Sequence, residues 1–75
     1  MFSKISLEAA RLHPQGRAIL MLRYGHDRGG VGRTLDETLE ALSSNKWLRA
    51  ETRQEVRRME VFSLRELREQ GFREQ

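Results

Sequence analysis

Apolar residues in this chain recur at intervals of three and four, and nowhere in a sustained alternation of two. That period belongs to amphipathic helices rather than half-buried strands, so the expected class is all-α. With 75 residues, of which 37% are hydrophobic, there is material for one small core. The expected organisation is therefore a single domain over residues 1–75, a bundle of four to five helices.

The spacing predicts a first helix from Ser6 to Leu12 behind a Ser cap, with Leu7, Ala10 and Leu12 on one side. Pro14 suits a helix's first turn and introduces a second segment to Tyr24, too apolar around Ala18, Ile19 and Leu22 for a surface helix. Gly16 lies in its first turns, where it costs about 1 kcal/mol against Ala, so fraying is expected there. Gly25 to Gly32 reads as a loop opened by a glycine cap. Thr34 with Glu37 three residues on forms a capping box for a helix carrying Leu35, Leu39 and Leu42. Ser43, Ser44 and Asn45 interrupt it, and Lys46 to Glu51 reads as either a helical turn or an extended tether. A last helix from Thr52 to Gln70 places Val56, Met59, Leu64 and Leu67 at helical spacing and stops near Gly71. The expected core comprises Leu12, Ile19, Leu22, Leu35, Leu39, Val56, Met59 and Leu67. Trp47 is expected to plug that core, with an interface anchor as its alternative.

Residues 1–33 hold six basic and two acidic side chains, residues 34–50 two basic and three acidic, and residues 51–75 six Arg against six Glu. Twelve of the 14 basic residues are Arg, suited both to forked contacts with phosphate or guanine and to ion pairs on a helix surface, such as Glu55 with Arg58. The absence of Cys excludes disulfides, thiolate metal sites and a Cys nucleophile, and is compatible with a reducing cytoplasm, the expected location. The longest apolar run, Ala18 to Leu22, falls far short of the roughly 18 residues of a membrane span, so no membrane association is expected.

Signals for catalysis are poor. Gly32-Arg33-Thr34 imitates the end of a phosphate loop, but Asp27 stands at its first Gly position, Arg33 replaces the Lys, and no strand precedes it. His13 and His26 lack a second pair of metal ligands at helical spacing. No Ser-His-Asp constellation stands out. Neither an enzyme nor a bound cofactor or metal is expected.

Three blocks follow one another along the chain. Leu12-His13-Pro14 through Ala18-Ile19-Leu20-Met21-Leu22-Arg23-Tyr24-Gly25 comes first, then Arg33-Thr34-Leu35-Asp36-Glu37. The third runs from Thr52-Arg53-Gln54-Glu55-Val56-Arg57-Arg58-Met59-Glu60 to Ser63-Leu64-Arg65-Glu66-Leu67. In this order they resemble region 4 of bacterial sigma factors of the sigma-70 class, the domain that reads the minus-35 promoter element, over residues 5–68. The family's corresponding patterns are L-P-E-R-E..V-L-R-L-R-Y-G, R-T-L-E-E, and T-R-E-R-I-R-Q-I-E followed by A-L-R-K-L. The resemblance implies a helix-turn-helix in which Arg33 and Thr34 hold phosphate and the helix from Thr52 enters the major groove. Arg53 would then pair with a guanine, Gln54 or Arg58 would read a neighbour, and Arg57 would match a family cation.

This sequence also departs from the family. Thr34 to Thr52 spans 18 positions where the pattern needs about eleven, which enlarges the turn that sets the angle of the two helices. Gln54, Glu55 and Arg58 replace Glu, Arg and Gln, so a carboxylate stands where a cation would meet DNA. Two functions are expected from these features. One is a small transcription regulator on duplex DNA, acting as a homodimer or with a polymerase partner; the other is a module that contacts the RNA polymerase core, a sigma factor or another transcription protein without sequence readout.

Overall fold

A computed structural model describes residues 1–74; Gln75, the last residue of the expected domain, lies outside the described residues. Four helices and no strand are present among them: α1 (Lys4–Ala9), α2 (Pro14–Tyr24), α3 (Leu35–Leu42) and α4 (Arg53–Glu69). The all-α bundle expected from the apolar spacing is the architecture observed. No helix of the described residues is long and apolar enough to cross a membrane.

Each boundary has a local cause. Ser3 caps α1 by accepting from the Ser6 N–H at 3.1 Å, so the first helix starts and ends earlier than the expected Ser6 to Leu12. The chain turns extended at Ala10, which frees Leu12 to pack from the connecting segment instead of from a helix. His13 caps α2 by accepting from the Gln15 N–H through Nδ1, and Pro14 occupies the first turn. Gly25 closes α2 at φ 72°, a conformation that disfavours any residue with a Cβ. The capping box at Thr34 and Glu37 is complete in both directions. Gly71 ends α4 at φ 91°.

Helix α2 packs against the other three and divides the interior. On one side Leu20 meets Phe2, Leu7, Ala10, Leu12 and Leu67; on the other Ile19 meets Leu42 and Val56, with Leu22, Leu35, Leu39 and Met59 half-buried around them. The expected core thus splits into fully buried members and members at its edge. Phe2, absent from the expected set, is fully buried, because it packs into the cluster of Leu7, Ala10, Leu12, Leu20 and Leu67.

Packing adds to one expectation and overturns another. Gly16 has a role that helix propensity does not show: it is buried where α2 crosses α4, and a Cβ there would stand 2.0 Å from Ser63 Oγ. Glycine is needed for that crossing. Trp47 does not plug the core, since 82% of it is exposed. Half-buried Leu48 fills that role from a helical turn held by Asn45, whose carbonyl accepts from the N–H groups of Leu48 and Arg49.

Candidate nucleic-acid interface

Helix α4 begins with Thr52 in an extended conformation, its hydroxyl accepting from the Glu55 N–H at 3.2 Å. Glu55 reaches back so that Oε2 accepts from the Glu51 N–H at 2.8 Å. The carboxylate that sequence reasoning set against DNA is therefore bound into the helix start. Its signal was present in the sequence, because Thr52-x-x-Glu55 has the spacing of the Thr34-x-x-Glu37 box. No Glu55–Arg58 ion pair forms; the cap holds the carboxylate instead.

A second carboxylate is withdrawn one turn later. Glu60 is 4% exposed and faces α2, where Oε2 accepts from Arg23 Nε at 2.8 Å while Oε1 accepts from Arg57 at 2.7 Å. The neutral composition of residues 51–75 hides this segregation. Helical geometry turns Glu60 inward and the cap consumes Glu55, leaving the outer side of the N-terminal half of α4 to Arg53, Gln54, Arg57 and Arg58, all exposed.

These four residues differ in freedom. Arg53 stands 3.5 Å from Asp36 of α3, with side chains 62% and 72% exposed, a hydrated contact that a competing ligand displaces at little cost. That contact also brings the starts of α3 and α4 together. Arg57 is tethered to Glu60 yet remains 59% exposed. Arg58 has no carboxylate partner among the described residues, and with Gln54, Arg57, Val61, Phe62 and Arg65 it lines an open depression along α4.

Arg33 and Thr34, expected to hold phosphate, are both engaged by carboxylates of this chain. Both terminal nitrogens of Arg33 donate to Asp27, at 2.6 and 2.8 Å, and one also donates to the Leu22 carbonyl. Only 13% of that side chain is exposed, and its hydrogen bond holds Asp27 below the usual carboxylate range. At Thr34 the backbone N–H donates to Glu37 Oε1 at 3.0 Å, and the hydroxyl accepts from the Glu37 N–H. Hydrogen bonding from Thr34, its backbone first, lowers the Glu37 pKa. An internal carboxylate thus occupies the start of α3, where a phosphate would otherwise be drawn. Asp27 and Glu37 are the residues whose effect sequence reasoning missed here; for Glu37 the capping box was the signal.

Among the described residues there is no group of three or more His, Cys, Asp or Glu able to hold a metal ion. His13 caps α2, and His26 Nε2 lies 3.3 Å from the Phe2 carbonyl. No protein-family model, curated protein or solved structure matches this chain. The likeness to sigma region 4 accordingly rests on the three sequence blocks.

Proposed function

We propose that this chain is a small transcription regulator that binds duplex DNA through α4, with α3 and the turn at 43–52 as its helix-turn-helix scaffold. One observation carries the proposal: the outer side of the N-terminal half of α4 presents Arg53, Gln54, Arg57 and Arg58, while Glu60 is buried against Arg23 and the exposed Glu55 carboxylate is engaged by the Glu51 N–H. In the major groove, Arg53 is the candidate for a forked contact to guanine and Gln54 for one to adenine. Arg57 and Arg58 supply phosphate contacts or a second base contact. Arg33 is assigned to the fold rather than to the ligand, because its donors are taken by Asp27 and Leu22.

Three such cations, Arg53, Arg57 and Arg58, make a short-range, salt-sensitive interface. Each phosphate neutralised contributes a slope of about −0.9 to the dependence of affinity on salt, so one copy binds weakly at physiological ionic strength. Occupancy of a promoter then requires a homodimer or the polymerase as a second tether. Selection of duplexes from a randomised pool by the full chain tests the proposal. A preferred sequence should emerge, and Arg53→Ala should cost about 1 to 3 kcal/mol on it while relaxing one position. No enrichment, or equal losses on all sequences, refutes the base-reading role.

A second reading, a module that contacts the RNA polymerase core or a sigma factor, draws support from Trp47. The residue is 82% exposed, and the Lys46 ammonium lies over its ring, 5.2 Å from the centroid. An exposed Trp is a strong interface anchor. Titration with polymerase core or a purified sigma factor should quench or shift the fluorescence of this sole Trp; an unchanged spectrum refutes that contact.

A further inference from the structure

We propose that Arg58, Phe62 and Arg65 on α4 form a docking stripe for an acidic amphipathic helix of a partner protein. These residues stand at i, i+4 and i+7 of one helix and so share one face, with the two cations about 10 Å apart along the axis. Phe62 is 48% exposed and its neighbour Val61 41%. Large apolar side chains on the outside of an otherwise charged helix are unpartnered surface.

Charge identifies the occupant. Helix α4 carries five arginines: Arg53 pairs with Asp36, Arg57 with Glu60 and Arg68 with Glu74. Arg58 and Arg65 have no carboxylate partner among the described residues, and they are the two that bracket Phe62. The chain has met its other α4 cations internally and left a cation–aromatic–cation pattern outward. Its complement is carboxylate, apolar, carboxylate at matching helical spacing, the helix-in-groove mode of recognition.

Shape agrees with this assignment. A shallow depression of about 500 Å³ is lined by Gln15 of α2 and by Glu55, Arg58, Met59 and Phe62 of α4; with the Glu55 carboxylate at one wall, it receives the apolar side chain of the partner, and the partner's carboxylates meet Arg58 and Arg65 outside it. Met59 at its edge is a pliable side chain that adapts to an inserted aliphatic or aromatic group. Duplex DNA is the poorer occupant. Phe62 stands about 13 Å along α4 from Arg53, beyond the N-terminal residues with which a recognition helix reads bases, and a phosphate backbone would leave its ring in water. The docking does not depend on the DNA reading. If both hold, the shared Arg58 makes acidic helix and DNA compete.

Panning the full chain against displayed helical peptides of about 16 residues, randomised on one face, tests the proposal. The expected winners carry Asp or Glu on both sides of Leu, Phe or Met. Their affinity should fall about tenfold with Phe62→Ala and with Arg65→Gln, and recover substantially with Phe62→Leu, in variants whose circular dichroism is native. No enrichment, winners without acidic residues, or binding insensitive to Phe62→Ala overturns the proposal. A mixed-sequence duplex is titrated onto the same variants. Loss of duplex binding on Phe62→Ala equal to the loss of peptide binding would make the stripe a nucleic-acid surface and overturn it as well. Failure of duplex selection with peptide binding intact removes only the DNA reading.

Discussion

Arg23 of α2 and Glu60 of α4 meet at 2.8 Å beneath the surface that α4 turns outward. Arg23 also donates to the Arg33 carbonyl, so one guanidinium joins α2, the loop before α3 and α4. Its partner is more buried than it is: the side chains are 25% and 6% exposed. Glu60→Gln keeps the shape but removes the charge and one of the two acceptors, setting an NH2 against one guanidinium, and should cost about 1 to 3 kcal/mol. Arg57→Ala, which removes the 59% exposed partner, should cost less than about 1 kcal/mol. Urea unfolding midpoints at constant m-value check the ordering. Equal losses would mean that the exposed Arg57 carries most of the compensation of the buried carboxylate.

Close approach of α2 and α4 gives a prediction opposite to helix propensity. Propensity alone favours Ala over Gly at position 16 by about 1 kcal/mol. The new methyl would stand 2.0 Å from Ser63 Oγ, however, and overpacking of that kind costs about 1 to 3 kcal/mol. Gly16→Ala should therefore destabilise. Ser63 Oγ is buried and has no hydrogen-bond partner, so Ser63→Ala should be neutral or stabilising by up to about 1 kcal/mol. In that background the nearest side-chain atom to the new methyl becomes Ser63's Cβ position, at 3.2 Å, and the penalty of Gly16→Ala should shrink. A double-mutant cycle by denaturant titration should give a coupling of about 1 kcal/mol; simple additivity contradicts the steric account.

The period of the apolar residues carried the fold class and the spans of α2 and α4, and the T-x-x-E spacing carried the Thr34–Glu37 box, because these depend on contacts within four residues. The packing role of Gly16 is illegible for the opposite reason: its partner, Ser63, lies 47 positions away, and local propensity contains no trace of it. Trp47 was misjudged because residue type does not decide which of two adjacent apolar side chains turns inward, and Leu48 does. At the candidate interface, counting charges along residues 51–75 gave a neutral segment, whereas helical phase places Glu60 against Arg23 and leaves Arg58 in water. The heptad position of Glu60 beside Val56, Ser63 and Leu67 was readable as inward-facing. Arg33 could not be assigned from sequence, since its pairing with Asp27 depends on how the glycine loop folds back.

Glu55 separates capping from DNA contact. Glu55→Arg should steepen the salt dependence of binding to mixed-sequence duplex by up to about one unit of logarithmic slope, because a cation joins the exposed start of α4. It should also lower the unfolding midpoint, since the Glu51 N–H loses its acceptor and a positive charge meets the helix N-terminus. Glu55→Gln retains an acceptor and should change the salt slope less. A slope unchanged by Glu55→Arg, with the fold intact, would place the DNA path elsewhere than α4.

Acid should weaken the loop before α3 and the start of that helix. Asp27 and Glu37 both have pKa values below their ordinary ones, Asp27 chiefly through the hydrogen bond from Arg33 and Glu37 chiefly through the Thr34 N–H. A carboxyl with a depressed folded-state pKa takes up protons more readily when unfolded. Its contribution is therefore complete above the ordinary carboxylate range and is lost as the pH falls through about 4 and below. Asp27→Asn and Glu37→Gln should each flatten the fall in stability over that window, measured as urea midpoints from pH 6 downward, and leave stability at neutral pH lower than in the parent chain. Arg33→Ala should act like Asp27→Asn, because it removes the same fork. The salt slope of DNA binding should be unchanged in that variant, given that its guanidinium is held inside the fold. A fall of about one unit in that slope would show that Arg33 leaves Asp27 for a phosphate when DNA binds, and would restore it to the interface.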